Sequence, residues 1–226
     1  MEVKLQERYK LFINGEWRDA SDGQTVKTYS PVDGSLLAEV AEATKEDVDA
    51  AVSSAREAFK TWKNSTVKER AKILNQIADI IDANAELLAT VETMDNGKPI
   101  RETMAVDVPL AAEHFRYFAA AIISEEDSAK MLDNNTLSLI LREPIGVVGQ
   151  IVPWNFPFLM GAWKLAPVLA SGCCTVLKTS STTPLSVLEF AKLIQDVLPA
   201  GVFNVITGSG SKSGQYILDH EGFDKL

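Results

Sequence analysis

Cysteine, histidine and positive charge are what this chain has least of. Among its 226 residues are two cysteines and two histidines, and 22 lysines and arginines stand against 31 aspartates and glutamates, a net charge of −9. The cysteines are neighbours, Cys173 and Cys174, which cannot staple distant parts of a fold, so a disulfide scaffold is excluded. That usage fits a reducing compartment, and a cytoplasmic location is expected. His114 and His220 stand alone with no metal-ligand spacing such as H-x-x-x-H, and no metal site is expected. The acidic balance lacks the basic footprint of a nucleic-acid binder. An apolar leader is also missing: MEVKLQERYK is charged throughout and does not read as a signal peptide. Between Pro144 and Leu177 the only charge is Lys164, but Pro144, Pro153, Pro157 and Pro167 interrupt that run, so no single membrane-spanning helix is expected there.

What remains is an ordinary globular composition, 46% hydrophobic and 23% charged, in a chain long enough to bury a sizeable core. The first forty residues read as short strands. Leu11–Ile13 and Glu16–Arg18 flank Asn14-Gly15, a pair suited to a tight hairpin turn, and Ser30–Gly34 is a second turn signal. Helices follow. Thr44-x-x-Asp47 and Thr66-x-x-Glu69 are capping-box patterns, each leading an apolar stripe at helical spacing. The second helical stretch is expected to last until about Met94, where Asn96-Gly97-Lys98-Pro99 ends it. A third, about Ile100 to Ile123, contains Pro109 and is expected to kink. From Thr136 the pattern alternates: strands over Thr136–Arg142, Ile145–Val152, Cys174–Leu177 and Val202–Ile206, and helices over Phe158–Ala170 and from Thr183-Pro184 to about Val197. A short helix is expected over Ser213–His220. This alternation predicts an α/β fold with a Rossmann-like parallel sheet and covering helices. Phe223–Leu226 falls where another strand would begin, so the sequence reads as truncated in mid-domain.

Four segments carry candidate chemistry. Gly208-Ser209-Gly210-Ser211-Lys212-Ser213-Gly214 follows a strand and could offer backbone N–H groups to a phosphate. Its G-x-G-x-x-x-G spacing is one residue too long for the dinucleotide fingerprint, and a flexible turn explains the pattern slightly better. Lys178 ends an apolar strand, where open parallel sheets bind ligands; it serves ribose or phosphate, or it only marks where burial stops. In Ile151-Val152-Pro153-Trp154-Asn155-Phe156-Pro157, two prolines bracket an asparagine whose amide could donate to a developing oxyanion; capping the helix or satisfying the turn is the plainer role. Cys173 and Cys174 begin an apolar strand with no base or cation in the pattern to lower a thiol pKa, and read as small buried hydrophobes. The two histidines read as structural.

Taken in order, Leu11-Phe12-Ile13-Asn14-Gly15-Glu16-Trp17, the Ser30–Gly34 turn, Pro144 through Pro157, and the Leu198–Gly201 turn before Phe203-Asn204-Val205 resemble NAD(P)-dependent aldehyde dehydrogenases. The likeness runs from about Leu11 to Leu226, and Pro-Trp-Asn-Phe-Pro is its most specific part. It implies three regions: 1–135, N-terminal strands and helices packing on a coenzyme domain; 136–150, the first strands of an oligomerisation sheet formed by Thr136–Arg142 and Ile145–Val152; and 151–226, a partial dinucleotide-binding domain.

By position, the resemblance makes Asn155 the oxyanion-hole asparagine, and Val152 and Trp154 backbone lining of the coenzyme cleft. Lys178 becomes the lysine on the adenosine ribose, and Gly210 and Gly214 flank the adenine half. Where many NAD-preferring members carry a glutamate, this chain has Ser181, so NADP is expected to be accepted alongside NAD. The implied reaction oxidises an aldehyde to a carboxylic acid: a cysteine thiolate adds to the aldehyde, hydride passes to the nicotinamide, and water activated by a glutamate hydrolyses the thioester. Neither a Glu-Leu-Gly-Gly nor a Gln-Gly-Gln-x-Cys motif occurs in these residues, and Cys173-Cys174 does not align with the nucleophile. The 226 residues alone are therefore expected to be inactive. The expected partners are an aldehyde and, for the full-length protein, further copies of itself. A second possibility is a non-catalytic product that binds nucleotide weakly or pairs with full-length subunits. A third, an unrelated nucleotide-binding α/β domain, is disfavoured by Pro-Trp-Asn-Phe-Pro.

Overall fold

Short apolar runs separated by amphipathic stretches build a layered α/β structure, described by a computed structural model over residues 3–226. The first two residues, with which the expected N-terminal region begins, lie outside the described residues. The N-terminal region holds β1 (Arg8–Tyr9), β2 (Leu11–Ile13), β3 (Glu16–Arg18), β4 (Thr25–Tyr29) and β5 (Leu36–Ala41). Helices α1 (Lys45–Trp62), α2 (Val67–Ala83), α3 (Ala85–Asn96), α4 (Ile100–Glu102) and α5 (Val108–Ser124) follow, with a π-helical turn over Thr103–Asp107. Then come β6 (Ser128–Met131), β7 (Leu137–Ile140), β8 (Val147–Ile151), α6 (Pro157–Ala170), β9 (Cys174–Lys178), α7 (Leu185–Ile194) and β10 (Phe203–Ile206). A second π turn over Gly210–Gly214 leads into α8 (Gln215–Leu218). No helix among the described residues is long and apolar enough to cross a membrane.

The main sheet runs β3-β2-β10-β9-β8. Strands β8, β9 and β10 are parallel, as the alternating pattern predicts, with α6 and α7 as their crossovers. All of their residues but Ile151 are buried, because α1 covers one face and α6 the other. The hairpin β2–β3 closes one edge by antiparallel pairing of Phe12 with Val205. Its turn takes left-handed geometry at Asn14 (φ 57°) and Gly15 (φ 76°), as the Asn-Gly pair predicts. At the other edge, Val148 bridges Lys225 in parallel, and the Gly149 N–H donates to the Lys225 carbonyl at 2.9 Å. The chain thus builds outward from β8 through β9 and β10, then returns to the free side of β8. The carboxyl end of β8 is a topological switch point, the place where open α/β sheets receive ligands.

Both capping boxes form. The Thr44 and Thr66 hydroxyls accept from the Asp47 and Glu69 N–H groups, and each carboxylate accepts the cap residue's own N–H. Other expectations are corrected. The helix expected from Thr66 to Met94 is two, α2 and α3, broken at Asn84. The expected kink at Pro109 is a π turn just before it, which accommodates the missing N–H and turns Thr103 and Asp107 into the interior. Helix α7 ends at Ile194 rather than near Val197, and its start is capped from outside by Asp95, whose Oδ2 accepts the Leu185 N–H at 2.7 Å; Thr183 supplies no cap.

The largest correction concerns Thr136–Arg142 and Ile145–Val152, which do not pair. Leu137–Ile140 pairs antiparallel with Ser128–Met131, a segment without a strand signature, whereas Val147–Ile151 belongs to the main sheet beside Cys174–Lys178. The apolar run of β8 finds a covered sheet position, and the hairpin is left to itself.

Candidate functional site

Three parallel strands end side by side. In register, Lys178 of β9 lies between Ile151 of β8 and Ile206 of β10, so the loops that follow all open on one edge. Val152 is buried, and its N–H donates to the Lys178 carbonyl at 3.1 Å. Trp154 is 64% exposed. Asn155 is exposed, and its amide has no hydrogen-bond partner among the described residues; it neither caps α6 nor bonds within the turn.

Lys178 is 2% exposed and does not mark where burial stops. Its ammonium donates to the Thr179 carbonyl at 3.0 Å. Burial lowers its pKa from 10.5 to about 8, against a smaller opposing pull from Glu42. A buried cation served by a single backbone carbonyl is poised for further acceptors. Ser181, three residues on, is exposed.

The glycine-rich segment is not a loose turn. Gly208 sits at φ 129°, where a side chain would collide with Ser213. The Ser213 hydroxyl donates to the Ala43 carbonyl at 2.8 Å, and the Lys212 ammonium pairs with Glu42 at 2.9 Å. Thr207 bonds the Ala41 carbonyl. These contacts tie the π turn to the end of β5. Gly214 is buried, and a Cβ there would come to 3.6 Å from Lys178 Cε; around Gly210 the space is open. The residues singled out in sequence at 152, 154, 155, 178, 181, 210 and 214 therefore lie at or beyond the carboxyl ends of β8, β9 and β10, the last two in the π turn.

Sequence reasoning missed the groups that hold this edge. The Asn96 amide donates to the Trp154 carbonyl at 2.6 Å, and the Lys98 ammonium lies 3.3 Å from the centre of the Phe156 ring. Asp95 accepts from Thr28 Oγ1 at 3.1 Å as well as from Leu185. Glu92 Oε1 accepts the Phe158 N–H at 3.4 Å. Burial raises the carboxyl pKa of both Glu92 and Asp95 to about 7. A signal was available: Glu92 and Asp95, three apart, share a helical face with Leu88, an unusual place for carboxylates.

The remaining candidates sit elsewhere. Cys173 and Cys174 are buried, and burial pushes the Cys174 thiol up to about 12. His114 stacks on Trp163, and His220 pairs with Asp49 at 3.2 Å.

Comparison with known proteins places these features in context. The model of the aldehyde dehydrogenase family matches residues 17–226. Aldehyde dehydrogenase B of Escherichia coli strain K12 is 51% identical over 224 residues, covering 99% of this chain and 44% of that protein. An aldehyde dehydrogenase from Bacillus cereus, solved as an NAD+ complex, superposes with a TM-score of 0.95 at 42% identity, covering 98% of this chain and 46% of that one. PnpE from Pseudomonas sp. WBC-3, in complex with nicotinamide adenine dinucleotide, gives 0.93 at 42% identity over 95% and 44% of the two chains. The chain spans under half the length of each of these relatives.

Proposed function

Since the chain belongs to the aldehyde dehydrogenase family, we propose that it forms the coenzyme side of a site that oxidises an aldehyde to a carboxylic acid with NAD or NADP. The observation that carries this reading is the convergence at the switch point: Asn155 beyond the end of β8, with the buried cation of Lys178 in register on β9.

The carboxyl end of the sheet fits a dinucleotide. Lys178 has donors to spare toward ribose hydroxyls, Gly214 leaves room beside it and the space around Gly210 is open, and Val152 and Trp154 follow the end of β8, where their backbone is proposed to line the coenzyme cleft. A bound coenzyme, which Lys178 and the Gly210–Gly214 turn would hold, would supply the hydride acceptor. Asn155 donates its amide N–H to the oxyanion of the thiohemiacetal, where charge develops and where a fixed donor lowers the barrier most. Ser181, small and neutral three residues after Lys178, is proposed to tolerate a 2′-phosphate that a carboxylate would repel. The nucleophile and the general base are not supplied by the motifs of these 226 residues, so turnover is proposed for an assembly in which those groups are present.

Titration of the chain with NAD and with NADP, followed by calorimetry, tests the coenzyme side. Comparable affinity for the two is expected; strong rejection of NADP overturns the role given to Ser181, and binding of neither overturns the site. A second reading, a non-catalytic chain that pairs with full-length subunits, draws on the exposed leucines of β6–β7. The intact mass of the native protein separates the two. A mass near 24.7 kDa favours the pairing chain, and a substantially larger one with aldehyde-dependent coenzyme reduction favours the enzyme.

A further inference from the structure

The segment Trp154–Phe158 leaves β8 at the switch point and enters a helix that has no side-chain cap of its own. Side chains distant in sequence grip it at three points. Asn96 donates to the Trp154 carbonyl at 2.6 Å. The Lys98 ammonium lies over the Phe156 ring at 3.3 Å, and it is held there by a 2.6 Å ion pair with Asp107, which is 1% exposed. Glu92 accepts the Phe158 N–H. The grips thus fall on residues 154, 156 and 158 and leave Asn155 between them.

Local structure delivers these groups. Asn96 is the last residue of α3, which Gly97 terminates in the left-handed region at φ 85°, and from that helix end its amide reaches the Trp154 carbonyl. The π turn places one more residue in its loop than an α-turn would, which rotates the following positions by roughly 100°. That extra residue brings Asp107 inward, against Lys98. Insertions of this kind in a helix concentrate at functional sites. A buried carboxylate paired with a largely buried lysine is costly to maintain for stability alone, and here its cation rests on the ring next to Asn155.

We propose that Asn96 and the Lys98–Asp107 pair are positioning residues for Asn155. They hold the Trp154 carbonyl on one side of it and the Phe156 ring on the other, so that its unpartnered amide is aimed before any oxyanion forms. The proposal rests on the reading of Asn155 as the oxyanion donor, and its test separates the two.

Hydrogen exchange of the 226-residue chain, read by mass spectrometry, reports the clamp without any coenzyme. Asn96→Asp keeps the volume and removes the donor; exchange over residues 154–160 is expected to quicken about tenfold, with α1 and α2 unchanged. Lys98→Met is expected to do the same and Lys98→Arg to restore protection; where Lys98→Met fails to fold, Asn96→Asp decides alone. In aldehyde turnover by the native enzyme, Asn96→Asp is expected to lower kcat about tenfold while coenzyme affinity moves by less than about twofold. Unchanged exchange in Asn96→Asp, or loosening spread evenly through the chain, overturns the clamp. Local loosening without any effect on kcat retains the clamp and overturns the oxyanion role of Asn155.

Discussion

Strands β9 and β7 are both short apolar runs, Cys174–Lys178 and Leu137–Ile140, yet every residue of the first is buried and three of the four in the second are exposed. Composition does not separate them. Position does: β9 lies between two parallel neighbours with helices over both faces, whereas among the described residues β7 pairs only with β6, whose residues are all exposed. The consequence reaches function. Strand ends locked on both sides can hold a cation such as Lys178 out of water and fix the loops around it. A lone hairpin presenting Leu137, Leu139, Ile140 and Leu141 offers instead an apolar surface of the kind that other chains cover.

The strongest way to break this comparison is to hollow out the covered strand. Leu177 is 1% exposed, and Leu177→Ala is expected to cost about 3 kcal/mol in urea unfolding, since a rigid sheet between helix layers does not collapse around the cavity. A loss below about 1 kcal/mol would mean that β9 is less tightly held than its burial implies. Next comes the external cap of α7. Asp95→Ala leaves the buried Leu185 N–H without its acceptor and the Thr28 hydroxyl with only the Thr182 carbonyl at 3.3 Å, and about 2 kcal/mol is expected to be lost. Asp95→Asn keeps an acceptor and separates cap from charge. In the folded chain burial raises this carboxyl to about 7, while the unfolded chain releases its proton near 3.8, so the folded state holds the extra proton between those values. Wild-type stability therefore falls as pH rises through that window, and Asp95→Asn is expected to flatten this contribution.

The same contrast governs how far the fold could be read in advance. The capping boxes at Thr44 and Thr66, the Asn14-Gly15 turn and the three parallel strands were legible because each is decided by a few adjacent residues or by a simple period. The partner of β7 was not: Ser128–Met131 has little apolar content, and only pairing across a turn makes it a strand. The antiparallel seat of β2 against β10 joins residues 193 apart along the chain, Phe12 with Val205, and no local pattern announces it. In the candidate site, Asn155 and Lys178 stood out because each interrupts an apolar stretch at a strand end. Their supports did not, because Asn96, Lys98 and Asp95 act across contacts that exist only after α3 has docked.

Lys178 sharpens the comparison from the side of charge. Its pKa is about 8 in the folded chain against an ordinary 10.5, so on raising the pH the folded state sheds the proton first. Burying this cation costs stability at neutral pH, and that cost is relieved as pH climbs from about 8 toward 10.5. Lys178→Met is expected to unfold about 1 kcal/mol later at pH 7, to lose the rise above pH 8, and to bind coenzyme at least about tenfold more weakly. Wild-type coenzyme affinity is expected to fall as pH passes 8, read by calorimetry in buffers of matched ionic strength. A variant that is both less stable and equally good at binding would mean that the ammonium is better satisfied, and less available, than its one carbonyl partner indicates.

The smallest effect on stability is expected where the apolar content looks most incongruous. Leu139 is 58% exposed on a strand that pairs with the exposed β6, so Leu139→Ser removes little that folding had gained, and its unfolding free energy in urea should match wild type to within about 0.5 kcal/mol. Its effect belongs to association. Sedimentation across a range of protein concentrations should show the wild-type chain self-associating and the variant shifted toward monomer, because the apolar surface that drives the contact has been reduced. If Leu139→Ser instead unfolds as readily as Leu177→Ala, the hairpin is covered in solution by a tightly bound second chain. Folding and assembly would then be a single step, and β7 would stand beside β9 as a core strand whose second layer comes from another molecule.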